Sequence, residues 1–260
     1  MATSVGVSAR AAEHITIDGS SGVMPLAMAL AQAFQQRHPD VTVAFGKGLD
    51  PNARIGALAE GRIDIALASH GLNIGELGPR GLSVHEVART AVVFGVNATV
   101  PVAELTEQQL CSLYSGQTPD WSALGGRMLP VVPLTRPDTE VDAEIVRDHV
   151  ACLKAMPRSE HVKVMQRSGD MARALSSTAG AIGMTTMTVV EQSEGRVRAV
   201  SLNGLPATAD NVVKRVYPLV RQAFFVARSA PRPTVVRFLE FVRGPDAQDV
   251  IRANGAIPAR

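Results

Sequence analysis

The turn Gly19-Ser20-Ser21-Gly22 stands between a short apolar run and a helix that Pro25 opens. Two hydroxyls beside the free N–H groups of a helix N-terminus form a site for an anion. The same pattern also serves as a serine N-cap in a tight turn, with no ligand involved. Arg136 offers a guanidinium, and with the two serines it could cradle a phosphoryl group. Nothing accompanies this set that would make it catalytic. A hydrolytic site needs a nucleophile with a positioned base, and the six histidines fall in no catalytic motif. His14, His38 and His85 read as surface or turn residues, and His149 and His161 lie in or just after polar helix. His70, beside Gly71, reads as a surface turn residue on its own. No Cys/His spacing matches a zinc site, and no metal-ligand set flanks the serines. These residues argue for a binding protein without metal or cofactor rather than for an enzyme.

The elements that must position these groups alternate between strand and helix. His14–Asp18 reads as a strand. Leu26–Arg37 reads as a helix with Leu26, Leu30, Ala33 and Phe34 on one face, Val41–Phe45 as a strand, Arg54–Glu60 as a helix ending at Gly61, and Arg62–Ser69 as a buried strand. This β-α-β-α-β order predicts a largely parallel sheet with helices on its faces. Val84–Asn97 is extended and apolar and reads as the lead into a crossover to a second lobe. That lobe takes in strands at Val131–Thr135 and Ala181–Met187, with helices near Asp142–Met156 and Asp170–Ser176. Val197–Leu202 is a further strand, Tyr217–Arg228 a strand pair or one long bent strand returning to the first lobe, and Thr234–Val242 and Pro245–Ala253 are closing helices. The expected division is a leader at 1–11, a first lobe of 12–93 plus 196–260, and a second lobe of 94–195. Two crossovers between lobes place a cleft between them, the usual position for a small ligand.

Leu105–Gly126 is the most sharply punctuated segment. Thr106 and Gln109 form a capping box, Leu105 and Leu110 stand at the staple positions, Leu110, Leu113 and Tyr114 share a face, and Gly116 with Pro119 stops the helix.

Composition bounds the function classes. The chain has 260 residues, 46% hydrophobic and 19% charged, which is ample for two lobes. A net charge of +2 is too small to make nucleic acid or an anionic membrane the main partner. One Trp and two Tyr argue against a sugar-stacking cleft or a single-strand platform. Residues 1–11 end in Ala9-Arg10-Ala11, which matches the tail of a secretory signal peptide cleaved before Ala12 and predicts a periplasmic or secreted protein. An oxidising compartment would permit one disulfide between Cys111 and Cys152, and two buried free thiols are equally compatible with the sequence.

The pattern LT-x-x-QL…Y-x-G…W-x-x-LGG in Leu105–Gly126 resembles the second domain of the phosphate-binding proteins of ABC phosphate importers. Further anchors are DGSSGVMPLA at Asp18–Ala27, GRIDIALAS at Gly61–Ser69, AGAIGM at Ala179–Met184, YPLVR at Tyr217–Arg221 and FLEFVRGPDAQDVIRANGAIP at Phe238–Pro258. Their joint order runs over nearly all of Ile15–Pro258. The resemblance implies an α/β, two-lobed fold of the type II periplasmic binding-protein kind, each lobe a mostly parallel sheet flanked by helices. It also implies a monomer that closes on a small-molecule or oxyanion solute and docks on a membrane permease.

In that family four elements hold phosphate, and the resemblance places them here one by one. The first is the loop of Ser20, Ser21 and Gly22, which fits. The second, a G-S-G-type loop, is Gly46-Lys47-Gly48-Leu49-Asp50-Pro51, where the serine hydroxyl is gone and Leu49 or Asp50 takes its place. The third, usually Asp or Arg after the IDIALAS strand, is His70. The fourth, an Arg followed by Ser-Gly-Thr at a helix start, is Arg136 followed by Glu140-Val141-Asp142. The candidate contacts are therefore Ser20, Ser21, Gly22, Asp50, His70, Arg136, Glu140 and Asp142. An oxyanion beside Asp50, Glu140 and Asp142 meets like charge that Arg136 and His70 do not outnumber, at a cost of several kcal/mol. The expectation is a small solute in the cleft, cationic or zwitterionic as readily as anionic, and no high affinity for phosphate. Two other readings stay open. Thr139 and Asp142 form a capping box away from the cleft, or the acids occupy the anion site permanently and the protein is a non-transporting sensor, adaptor or scaffold.

Overall fold

A computed structural model describes residues 13–69, 72–155 and 160–259. The leader expected at 1–11 lies outside the described residues. Chain order begins β1 (Glu13–Gly19), α1 (Met24–Arg37), β2 (Val41–Phe45), α2 (Pro51–Ala59), β3 (Ile65–Ala68), α3 (Ile74–Leu77) and β4 (Leu82–Asn97). It continues with β5 (Glu104–Leu105), α4 (Glu107–Ser115), β6 (Val132–Thr135), α5 (Val141–His149), α6 (Ala151–Ala155), β7 (Lys163–Val164), α7 (Ser168–Ser177) and β8 (Ala181–Thr186). The last elements are α8 (Met187–Gln192), β9 (Val197–Leu202), α9 (Ala209–Val213), β10 (Val220–Arg228), α10 (Pro233–Arg243), α11 (Pro245–Ala253) and β11 (Ala256–Pro258).

The strands form one continuous sheet in the order β2-β1-β3-β10-β4-β8-β6-β7. Its two ends are parallel: β2, β1 and β3 at one, β8, β6 and β7 at the other. The middle is antiparallel, because β4 and β10 run against each other and against their neighbours. Each half is thus a mixed sheet, more antiparallel than the expected pattern. The stretch expected to lead into a crossover is itself the longest strand, β4, with β10 returning beside it.

Burial on both faces explains the apolar runs. In β3, Ile65 and Leu67 enter one core with Ile15, Ile17, Phe34 and Phe238, while Ala66 and Ala68 enter a smaller core with Ile55 and Leu58 of α2. Phe225 and Ala227 of β10 point to the first core, Phe224 and Val226 to the smaller one. A strand covered by helices on both sides has no polar face, so it reads as continuous rather than alternating. The third core surrounds Trp121, Leu134, Leu175 and Ile182. It also takes in Val197, Val200, Val212, Tyr217 and Leu219, beyond the boundary expected at residue 195.

The capping box of α4 is present in full: the Thr106 hydroxyl accepts from the Gln109 N–H at 3.1 Å, and the Gln109 amide oxygen accepts from the Thr106 N–H at 2.8 Å. Gly116 closes that helix in the left-handed region at φ +80°. The helix expected near Asp142–Met156 is broken. Val150, extended and buried, ends α5, and α6 then carries Cys152 to Cys111 of α4. The two cysteines form a disulfide with Cα atoms 6.0 Å apart, which resolves the alternative left open by sequence. The bridge spans a sequence separation of 41 residues, and constraining a loop of that size in the unfolded chain is worth about 4 kcal/mol. Urea unfolding of the Cys111→Ser/Cys152→Ser protein is expected to show that loss. An unchanged midpoint would show that the bridge does not restrict the unfolded ensemble.

Candidate functional site

β1 ends at Gly19, whose φ of +133° brings its Cα against β3, where a Cβ would lie 2.3 Å from the Leu67 carbonyl oxygen. The Ser20 N–H then donates to that carbonyl at 2.9 Å, and the Ser20 carbonyl accepts from Val23 and Met24. Asp18 fixes the next loop over this turn. Its carboxylate accepts from the N–H groups of Gly19 at 2.7 Å and Gly48 at 2.8 Å. Gly46 passes so close to that carboxylate that a Cβ would collide with it. Neither serine caps α1, whose N-cap is Val23 without a side-chain bond. Both hydroxyls turn instead toward arginines from elsewhere in the chain.

Arg136 follows β6 and is 1% exposed. It donates to the Met165 carbonyl at 2.8 Å, makes a long contact of 3.5 Å to the Ser21 hydroxyl, and pairs with Glu140 at 2.8 Å. Ser21 also receives the N–H of Ser168, the first residue of α7, at 3.4 Å. Arg221 lies near the start of β10, opposite Thr90 of β4, where the strands pass from one core to another. Its guanidinium pairs with Asp142 of α5 at 2.6 Å, the two side chains 3% and 4% exposed, and reaches the Ser20 hydroxyl at 3.4 Å. A Cβ at Gly22 would stand 2.0 Å from an Arg221 nitrogen, so a larger residue there would have to push the guanidinium aside. A third guanidinium, Arg54 on α2, is also buried.

The structure therefore brings Ser20, Ser21, Gly22, Arg136, Glu140 and Asp142 together. Asp50 is an exposed residue at the start of α2 without a side-chain cap bond, and it joins no buried pair. His70 lies outside the described residues. The capping box expected at Thr139 and Asp142 does not form. Glu140 takes the N-cap position without a side-chain bond, and the Asp142 carboxylate is drawn to Arg221. The charge count changes accordingly. The expectation that cations do not outnumber acids rested on Arg136 and His70. Two buried arginines absent from that reading, Arg221 and Arg54, join Arg136 against the buried Asp18 and Asp142, an excess of one positive charge that the part-exposed Glu140 offsets. Arg221 carried a signal, as a lone charge at the start of an apolar strand. Arg54 and Ser168 fall on ordinary amphipathic helices and carried none.

The site stands at the C-terminal ends of parallel strands β1 and β6 and receives the first turns of α1, α5 and α7. Ligands of open α/β sheets bind outside the carboxyl ends of strands, and helix N-termini favour anions. Between Gly22, Arg136, Asp142 and Ser168 the empty space is about 220 Å³ in all, and no part of it admits a water-sized sphere. Burial and the neighbouring Arg221 push the Arg54 guanidinium pKa down, against the opposing pull of Glu140 and Asp50.

Removing one member of a buried ion pair strands the other. Asp142→Ala is expected to cost about 3–5 kcal/mol in urea unfolding, and Asp142→Leu with Arg221→Met to restore most of it. Equal stability of Asp142→Ala and the parent would show that the pair is not desolvated in solution.

Among the described residues no helix is long and apolar enough to cross a membrane. A family model described as the PBP superfamily domain matches residues 5–246. The phosphate-binding protein PstS of Bacillus subtilis is 25% identical over 257 residues, covering 96% of this chain and 82% of the relative. A crystal structure of a putative phosphate ABC transporter substrate-binding protein with bound phosphate, from Clostridium perfringens, superposes with a TM-score of 0.75 at 27% identity, covering 95% of this chain and all of the other. An ABC-type phosphate transport receptor from Vibrio cholerae gives 0.61 at 26% identity, covering 94% and 99%. With the strand order and the arginine-lined loop already in place, this chain belongs to the PBP superfamily and is similar to the phosphate-binding proteins of ABC importers.

Proposed function

We propose that this protein is the solute-binding component of an ABC importer, acting in the periplasm or as a secreted protein. It captures a small oxyanion by closing two lobes and presents it, as a monomer, to a membrane permease. The lobes are built on the cores described above, with the cleft at the passage of β4 and β10 between them. The bound group lies between the Ser20-Ser21 loop and Arg136, and phosphate is the first oxyanion to test because the similar proteins are named for it. Binding is cleft closure without chemistry, a hinge motion about the connecting strands.

One observation carries the finer reading: Arg136, which reaches the Ser21 hydroxyl at 3.5 Å, is paired with Glu140 at 2.8 Å. Glu140 is 36% exposed, so it can leave, but an incoming oxyanion must displace it. Phosphate is therefore held weakly compared with a site whose arginine is free. A second reading, a non-transporting sensor, adaptor or scaffold protein, draws support from the Arg221–Asp142 pair. This pair spans from β10 to α5 and leaves no water-sized space beside it.

Calorimetric titration with phosphate separates these readings. The parent protein is expected to bind more weakly than micromolar, and Glu140→Gln at least tenfold more tightly, a gain of roughly 1.4 kcal/mol or more. Micromolar or tighter binding by the parent, unchanged in Glu140→Gln, would overturn the competing-carboxylate argument. No heat from phosphate, sulfate or acetate with either folded protein would favour the non-transporting reading.

A further inference from the structure

Of the three buried arginines, Arg136 and Arg221 each hold a carboxylate. Arg54 holds none. It is 7% exposed, its Nε has no hydrogen-bond partner, and among the described residues its guanidinium makes no ion pair. Asp50, one helical turn earlier, is exposed, and its side chain makes no cap bond and acts on the Arg54 guanidinium only through space. The contrast with Asp64 is instructive, since that single buried carboxylate serves both Arg228 and Arg232. A desolvated guanidinium without an anion is costly, and buried polar groups in native proteins have partners. Arg54 stands in the first turn of α2, directly after the loop in which the expected ligand hydroxyl is missing.

We infer that Arg54 is a ligand contact, the third arm of the anion site, and that it takes a singly charged oxyanion such as monobasic phosphate or a phosphate monoester group. This rests on the oxyanion-binding reading above. The stoichiometry of charge points to the class. Arg54, Arg136 and Arg221 stand against the buried Asp18 and Asp142 and the part-exposed Glu140, so a ligand that displaces Glu140 meets one positive charge, which one negative charge neutralises. A planar guanidinium presents two parallel N–H donors to two oxygens of such a group. Arg54 thereby supplies from α2 what the lost hydroxyl of the Gly46–Asp50 loop no longer offers. Glu140, which also acts on Arg54 through space, is the carboxylate that the ligand must outcompete there.

The test compares the parent, Arg54→Gln and Arg54→Met by thermal unfolding and calorimetry. The probes are sodium phosphate, a soluble phosphate monoester and sodium acetate, against sodium chloride at equal ionic strength. In chloride, Arg54→Met is expected to unfold about 3 °C higher than the parent, because an unpaired buried charge is gone. In phosphate, the parent is expected to gain stability, and both variants to lose at least tenfold in affinity. A fall in unfolding temperature of Arg54→Met in chloride would make Arg54 a structural residue and overturn the inference. Equal phosphate affinity in parent and variants would overturn it while leaving the oxyanion site at Arg136 intact. Silence of the parent toward every probe would overturn both.

Discussion

The buried ion pair between Arg221 and Asp142 is the constraint on which the site depends. Arg221 belongs to β10 where it enters the first core, and Asp142 belongs to the first turn of α5 in the other. Both charges are desolvated, so neither can be satisfied by water, and the two elements must meet at one distance. That requirement propagates outward. The guanidinium lies against the Cα of Gly22, so any side chain there would push it away from Asp142. The turn bearing Gly22 is held by Gly19 against β3 and by Asp18 beneath the Gly46–Gly48 loop. With α5 fixed by Asp142, Glu140 at its N-cap is delivered to Arg136. A buried pair seldom adds net stability over an apolar one of equal volume. Its contribution here is positional: it sets the relation of β10 to α5, and with it the geometry of everything between them.

The two carboxylates that replace the family's hydroxyl pattern have different roles, and burial separates them. Asp142 is enclosed with its arginine and behaves as part of the framework. Glu140 is one-third exposed, is joined to Arg136 across the turn between β6 and α5, and can exchange its contact for water. In sequence the two are equivalent acids two positions apart. Only the direction in which α5 faces decides that one is permanent and the other replaceable.

Legibility followed the range of the interactions. The capping box of α4, the stop at Gly116 and the doubly buried run of β3 depend on neighbours within a few residues, and sequence order carried them. The two-residue strands β5 and β7 are too short for any periodicity to register, and the break at Val150 answers to the core rather than to a local stop signal. The arginines of the site are the clearest case. Arg136 was placed by its resemblance to a family motif. Arg221 and Arg54 are brought beside it from 85 residues downstream and 82 upstream (221 − 136 and 136 − 54). A charge count taken along the chain near Arg136 sees acids in excess, whereas among the buried groups of the folded site the arginines are in excess. The sign of the local field was set by topology, and no window of sequence contains it.

Tethering determines what the departure from the family pattern does to binding. A free carboxylate in solution competes with a ligand in proportion to its concentration. A carboxylate held on the adjacent helix start competes at an effective concentration fixed by geometry, at least in the millimolar range even for flexible attachments. On the proposed oxyanion reading, Glu140 therefore lowers affinity for any anion at Arg136 by a constant factor, independent of dilution. Arg54 is not subject to that competition to the same degree, because Glu140 makes its ion pair with Arg136 and acts on Arg54 only through space. On that reading the site holds one arginine committed to the framework, one shared between a tethered acid and a ligand, and one without an internal ion pair. Selectivity then belongs to solutes that can engage the last two together, since an anion reaching only Arg136 gains little more than it displaces.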